Sequence, residues 1–394
     1  MTEQAPTIGK HIRTTEPDRL AIIAEEFVTQ HFDAVRVEML LADYRVAGLW
    51  PALRSAHEIA GALRDQSAAA RVFASQRPLY EKLPNGGARA LVPITAWCDR
   101  LGVLAVDLAE EPSSATLDAL TAVGDEIAVA LTAADRSTDH YRRTRRRQRL
   151  TMAAEMQWDL LPGRALGGRN FLLAGQLEPA YAVNGDHFDW ALNDNALTIS
   201  VLNGDGNGIG ATMLTVLAVN AMRNARRSGG TLMEQAELAS DAIFSHYGGK
   251  NSVSTLLLEV DIITGRVSAI DAGSPVALRL RGGAVGLVDL DKQMPLGMFA
   301  DTRYDIQHFD LEPHDRMVVV SDGVHLAAPG GQQPYGVVAL ANALRDTRLQ
   351  PATEAVTSLM RSFDDYHAGD DLLDDAVIVC LDWTGNERPA GAPR

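Results

Sequence analysis

Hydrophobic spacing along the chain changes character three times. Behind about 15 polar residues, read as a disordered tail over 1–15, Leu20, Ile23, Phe27 and Val28 recur at helical spacing after Pro17-Asp18. VRVEMLLAD (35–43) alternates as a strand does, Gly48-Leu49-Trp50-Pro51 is turn-prone, and residues 56–75 read as helix. ALVPITAWCDRLGVLAVDL (90–108) reads as two apolar strands joined at Cys98-Asp99-Arg100. These elements predict a small α/β domain over 16–112.

From 113 to 163 the pattern is helical. Pro112 with Ser113 or Ser114 marks a start, and Pro162-Gly163 a stop. Leu117, Leu120, Gly124, Ile127 and Leu131 follow a heptad-like seam. This predicts a linker that joins two protomers as a coiled coil, about 70 Å long if unbroken, with a break expected near Ser137. The basic run Arg142–Arg149 within it reads as a solvated helix face; an acidic-partner or membrane-surface contact is the sharper alternative.

From 164 to 385 strands dominate: FLLAGQL, ALTISVLN, VSTLLLEVD, RVSAIDAG, VALRLRGG, MVVVSD and AVIVCLDW, several separated by Asn-Asp, Thr-Gly or Gly-Gly turns. Helices are predicted near 209–228, 231–247, 335–347 and 352–365. Short strands joined by hairpins imply antiparallel sheets, and paired helices imply covered outer faces. Residues 386–394 read as a tail. The chain is thus predicted to be α+β in class.

Composition narrows the setting. The 394 residues are 46% hydrophobic and 22% charged, enough apolar material for two or three cores. A net charge of −15 argues against nucleic-acid binding. The two cysteines, Cys98 and Cys380, build neither a zinc site nor a disulfide framework, which fits a cytoplasmic protein. No run is long and apolar enough for a membrane span, and MTEQAPTIGKHIRTTEPD has no signal-peptide core.

Four aspartates stand at the ends of apolar strands: Asp186 in NGDHFD, Asp205 in NGDGNGIGA, Asp322 in SDGV and Asp374 beside Asp375 before AVIVCL. Taken singly, each is more simply a turn residue. Strand ends can converge on one edge of a sandwich, and clustered carboxylates repel one another. Mg²⁺ or Mn²⁺ removes that cost, since both are hard cations that seek oxygen ligands. Gly204 and Gly206 free the backbone beside Asp205 so that a carbonyl can join them. Two such ions can drive in-line displacement at phosphorus. GDGNGIG lacks the Walker lysine and does not fit G-x-G-x-x-G, so a nucleotide loop is the poorer reading.

The ordered set resembles the PP2C-like phosphatases of the SpoIIE/RsbU type over roughly 153–383. The segments that carry the resemblance are AAEMQWDLLPG with its Q-x-x-LLP signature, AYAVNGDHFD, LNGDGNGIGATML, STLLLEVDIITGRVSAIDAGSP, MPLGMF, LEPHDRMVVVSDGV, YGVVAL and LLDDAVIV. The resemblance implies an αββα sandwich and two Mn²⁺ or Mg²⁺ ions held by Asp186, Asp205 with the Gly206 carbonyl, Asp322 and Asp374, with Asp205 as the bridge. Asp375 is the alternative to Asp374. Asn184, Ser274 and Val377 depart from the family's usual glycine, histidine and threonine, and the proline run after Ser274 is reduced to Pro275. The VPI…RLGVLAVDL hairpin with flanking helices resembles a GAF sensor over about 16–135. There Trp50, Trp97 and Met39 are core residues or line a ligand pocket.

The resulting expectation is a sensor-controlled serine/threonine protein phosphatase. Its substrate would be a phosphorylated STAS-type anti-sigma-factor antagonist, its assembly a homodimer through the linker helix, and its sensory ligand a small molecule or protein of unknown identity. The main rival is a non-catalytic PP2C-like module that binds a partner.

Overall fold

The computed structural model describes residues 8–53, 61–63, 67–84, 86–146, 150–179, 183–328, 334–367 and 372–385. The tail 386–394, residues 1–7 and Arg147–Arg149 of the basic run lie outside the described residues. The chain divides into two compact units, Met1–Arg149 and Leu150–Arg394.

The N-terminal unit comprises α1 (Gly9–Arg13), α2 (Leu20–His31), β1 (Arg36–Ala42), β2 (Gly48–Pro51), β3 (Gly61–Ala62), α3 (Ala68–Ser75), β4 (Leu79–Lys82), β5 (Ala88–Ala96), β6 (Asp99–Leu108), α4 (Ser114–Ala134) and α5 (His140–Arg145). Its antiparallel sheet runs β3-β2-β1-β6-β5-β4. One face carries α2, α4 and Tyr141 of α5 in a single apolar core, and the other packs on Val72 and Phe73 of α3.

Two expectations change here. The N-terminal tail is ordered from Ile8 onward, because the fully buried Ile8, with Ile12 against it, anchors α1 in the core. The linker is no single helix. Ser113 caps α4 by accepting from the Thr116 N–H at 3.1 Å, as its sequence suggested, but α4 ends at Ala134.

The predicted coiled-coil seam is consumed within the unit. Leu120, Ile127 and Leu131 are buried in the sheet core, and at Gly124 the helix lies so close to the Pro93 carbonyl that an added Cβ would sit 2.4 Å from its oxygen. The basic run is also not wholly a solvated face. Arg145 is buried, donates to the Ala42 carbonyl at 3.1 Å, pairs with Asp135 at 3.3 Å and lies over the Tyr44 ring.

The C-terminal unit comprises α6 (Met152–Leu160), β7 (Ala165–Gly167), β8 (Phe171–Glu178), β9 (His187–Asn193), β10 (Ala196–Gly204), α7 (Gly208–Arg227), α8 (Leu232–Tyr247), β11 (Val253–Asp261), β12 (Arg266–Ala272), β13 (Val276–Arg281), β14 (Ala284–Leu287), β15 (Gln307–Asp310), β16 (Asp315–Val320), α9 (Asp322–His325), α10 (Gly336–Asp346), α11 (Ala352–His367) and β17 (Ala376–Trp383). Two antiparallel sheets, β15-β12-β11-β10-β9 and β14-β13-β16-β17-β8-β7, face each other. Alternate residues such as Ile199, Val201, Leu256, Val319 and Val379 fill the space between them. The opposite residues of each strand pack outward, Leu202 and Leu257 under α7 and α8, Val318 and Ile378 under α10 and α11. This is the predicted αββα sandwich. The period-two strands bury both faces, which is why they read as nearly continuous apolar runs. Among the described residues no helix is long and apolar enough to cross a membrane.

Candidate metal and active site

Asp186, Asp322 and Asp374 come together at one edge of this sandwich, and Asp205 lies on the turn that follows β10, crossed by the Asp186 segment. Asp186 immediately precedes β9, and Asp205 follows β10, whose Leu202 pairs with His187. Gly185 lets the two segments cross. A Cβ there would lie 2.3 Å from the Gly204 carbonyl oxygen, so only glycine fits. The crossing is tied by the Gly204 N–H and the Thr215 hydroxyl, which both donate to the Gly185 carbonyl, at 3.1 and 2.7 Å. Asp322 opens α9 directly after β16, and Asp374-Asp375 leads into β17, the neighbour of β16.

Asp186 has no exposed surface, and among the described residues neither carboxylate oxygen meets a donor at full hydrogen-bond geometry, the Ser321 hydroxyl being the one that acts on it. Its carboxyl is pushed well above the ordinary carboxylate range. Burial is the main cause, followed by the negative charges of Asp322, Asp374 and Asp375; the Ser321 hydroxyl opposes them weakly. Burial also raises the Asp374 carboxyl, against the lowering effect of the Asn184 amide. A buried carboxylate with no donor at full geometry, facing further carboxylates, is the environment a divalent cation relieves. The donor set is all oxygen, as Mg²⁺ and Mn²⁺ require. Among the described residues, however, no three acidic, imidazole or thiol side chains stand close enough to grip one ion together. The carboxylates are gathered at one edge but not closed into a cage.

The other acids are held by neighbours. Asp205 is exposed, and its Oδ2 accepts from the Ser252 N–H and hydroxyl, both at 2.8 Å, with Gly206 beyond it at φ +96°. Asp322 Oδ1 accepts from the Asn203 amide and from the Gly323 N–H at 3.0 Å. Asp374 Oδ1 accepts from Asn184 Nδ2 at 2.6 Å and from the Asp375 N–H at 2.8 Å. Asp375 is occupied differently. It is buried, and its Oδ2 accepts from Gln157 Nε2 at 2.9 Å and from the Asn184 N–H at 3.0 Å. Gln157 also donates to the Asp186 carbonyl.

Sequence reasoning missed these supports. Asn184, noted only as a departure from glycine, clamps Asp374. Gln157, noted only as part of Q-x-x-LLP, ties α6 to the two strand ends. Ser252 gave no signal, because its role depends on the register of β11 against β10. Asp189, the last acid of GDHFD, turns inward to Arg223 and Arg226 of α7, at 2.7 and 3.0 Å, and serves the fold. His187 is buried, and burial pushes its imidazole down to about 4.

In the N-terminal unit, Met39, Trp50 and Trp97 do not form a common pocket. Met39 lies in the core, Trp50 donates to Asp43 at 3.2 Å, and Trp97 is exposed at the β5–β6 turn. A groove of about 750 Å³ instead lies between α1, the start of α2 and α4, lined by Ile12, Leu20, Val129 and Ala133 with Asp125 and Glu126.

Residues 193–384 match the family model for stage II sporulation protein E, SpoIIE. The match covers just under half of the chain and contains Asp205, Gly206, Asp322, Asp374 and Asp375; Asp186 lies just ahead of it. No curated protein matches the chain. Among solved structures, the RsbU and RsbW domains of Rv1364c from Mycobacterium tuberculosis share 19% identity over 56% of this chain and 63% of theirs, with a TM-score of 0.49. The chain therefore spans less than two thirds of that relative's length. The SiaA-PP2C domain of Pseudomonas aeruginosa shares 20% identity over 54% of this chain and 85% of its own, with a TM-score of 0.48. The PP2C phosphatase domain and regulatory-domain fragment of SpoIIE from Bacillus subtilis shares 12% identity over 79% of this chain and 83% of its own, again at 0.48.

Proposed function

We propose that the C-terminal unit, whose residues 193–384 match the SpoIIE family model, is a PP2C-like serine/threonine phosphatase domain, and that this chain removes phosphate from phosphoserine or phosphothreonine in a protein, with two Mn²⁺ or Mg²⁺ ions held by Asp186, Asp205, the Gly206 carbonyl, Asp322 and Asp374. The observation that carries the metal assignment is Asp186, wholly buried, without a donor at full hydrogen-bond geometry and faced by three further carboxylates. Bound there, the ions supply Lewis acidity toward the phosphoryl oxygens and activate water for in-line attack. The chain's own residues prepare the edge. Ser252 holds one oxygen of Asp205, Asn203 orients Asp322 and Asn184 orients Asp374. Asp375 and Gln157 keep the two strand ends in register.

The substrate class, a STAS-type protein phosphorylated on serine or threonine, follows from the family resemblance, and a cytoplasmic setting from the sparse cysteines. For sensory control, the six-stranded sheet with helices on both faces supports the GAF-like reading, and the α1–α2–α4 groove has the size of a small-molecule site. A homodimer remains part of the proposal, but it needs a face other than the Leu120–Leu131 seam, which the unit's own core occupies.

One rival draws on a specific observation. Carboxylates that stand too far apart to grip an ion also suit a non-catalytic module that binds a partner. Hydrolysis of p-nitrophenyl phosphate and of a serine-phosphorylated STAS protein by the full chain decides between them. Turnover with Mn²⁺ or Mg²⁺, abolished in a folded Asp205→Asn variant, supports the phosphatase. No turnover with either ion sinks it.

A further inference from the structure

Four large apolar side chains stand in solvent around the carboxylate edge: Ile209 (47% exposed), Met213 (53%), Leu326 (60%) and Leu373 (81%). Single exposed apolar residues are ordinary, but several gathered beside one site are informative. Each of these is placed by a candidate metal ligand. Leu373 directly precedes Asp374, and the Leu326 N–H donates to the Asp322 carbonyl at 2.8 Å. Ile209 and Met213, one helical turn apart on the same face of α7, follow Asp205 and Gly206, while Ala211 and Thr212 between them turn into the protein.

The segments are tied to one another as well. Asn184 Nδ2 donates to the Leu373 carbonyl at 3.3 Å and to Asp374, the Gly208 N–H donates to the Val183 carbonyl, and Asn203 donates to Asp322. The apolar residues therefore ring one edge.

The composition of that ring is specific. Segments 183–186, 203–213, 321–328 and 372–375 contain no lysine or arginine. These four segments thus offer no fixed cation to a phosphate, whose counter-charge falls to the metals; Lys250 stands two residues from Ser252, which holds Asp205. What the rim offers beyond the metals is apolar contact, which a small phosphomonoester is too short to use and a protein around its phosphorylated residue is not.

Resting on the phosphatase reading above, we propose that Ile209, Met213, Leu326 and Leu373 form the docking rim for the protein substrate, and that they select a phosphoprotein with an apolar surface beside its phosphoserine. The rim sets KM for the protein and leaves the chemical step alone. Because the contact is apolar, KM for the protein substrate depends only weakly on salt.

The test compares two substrates on the full chain with Mn²⁺: p-nitrophenyl phosphate, and a STAS-domain protein phosphorylated on serine. The variants are Ile209→Ala with Met213→Ala, Leu326→Ala, Leu373→Ala, and all four together; every replaced side chain is exposed. The fourfold variant is expected to lose about 10- to 100-fold in kcat/KM on the phosphoprotein, through KM, and to stay within about twofold on p-nitrophenyl phosphate. Parallel loss on both substrates overturns the proposal, because it reports distortion of the metal edge. Unchanged turnover of the phosphoprotein overturns it too. A rise in p-nitrophenyl phosphate turnover shows that a second copy or another part of this chain covers the rim, and also refutes it. So does a wild-type chain that hydrolyses p-nitrophenyl phosphate but refuses the phosphoprotein. A wild-type chain inactive on both substrates defeats the phosphatase reading first, and the docking rim falls with it.

Discussion

Replacing Asp186 by asparagine separates the cost of the carboxylate edge from its use. The side chain is wholly buried, both oxygens lack a donor at full hydrogen-bond geometry, and Asp322, Asp374 and Asp375 add like charge. Without metal the protein either carries an uncompensated charge there or takes up a proton to remove it, and both destabilise the fold. The Asp186→Asn substitution keeps the volume and removes the charge, for a gain of about 1–3 kcal/mol, the usual penalty of an unsatisfied buried group. For a unit of this size that is a rise in Tm of about 2–12 °C in chelator at pH 7.5.

The pH dependence follows from the direction of the shift. A carboxyl whose folded pKa is raised binds more protons folded than unfolded. Its penalty is therefore absent below the ordinary carboxylate range and grows as pH rises toward the raised value. The advantage of the variant should shrink toward pH 4. Metal reverses the order. At a Mn²⁺ concentration of about 100 times its Kd, the wild type gains about 2.7 kcal/mol, and the variant much less. Thermal melts at several pH values, with chelator and with Mn²⁺, read both effects. A variant less stable than wild type in chelator at pH 7.5, or equal stabilisation of both by Mn²⁺, refutes the reasoning.

Asp189→Asn tests the other acid of the same motif. It strands Arg223 and Arg226 and should cost about 3–5 kcal/mol in chemical denaturation while leaving Mn²⁺ affinity by calorimetry unchanged. Ile127→Ala should destabilise the N-terminal unit by about 2–5 kcal/mol in urea melts, because the residue is core; loss of a dimer in sedimentation with stability intact would restore the coiled-coil seam. Burial pushes the Glu25 carboxyl up to about 7, with Glu38 adding to the rise. Its folded pKa being raised, it lowers stability as pH climbs from about 4.5 toward 7, and Glu25→Gln should flatten that part of the stability–pH curve, read by thermal melts.

Much of the C-terminal unit was legible along the chain. Period-two alternation with hairpin turns marks antiparallel strands wherever the protein buries them, so the sheets and their covering helices followed from local pattern. The chemistry of Asp186, Asp205, Asp322 and Asp374 was legible because each ends an apolar strand, and residue type with strand position is local information. The order of those motifs carried the resemblance to SpoIIE-type phosphatases independently of any contact.

What stayed hidden depended on which surfaces meet. Leu120, Gly124, Ile127 and Leu131 have the same spacing whether they face a second helix or a sheet, and only packing against β5 decided for the sheet. Arg145 looked solvated until Asp135, the Ala42 carbonyl and Tyr44 closed around it. Asp374 and Asp375 are indistinguishable as adjacent letters. Folding gave the Asp374 carboxylate to the Asn184 amide and the Asp375 carboxylate to Gln157 and the Asn184 N–H, partners that adjacent letters do not specify. The sequence by itself determined which groups the protein has and the elements that carry them. The tertiary structure alone decided which of those groups share a space, because burial, pairing and electrostatic strain are properties of neighbours that sequence distance does not specify.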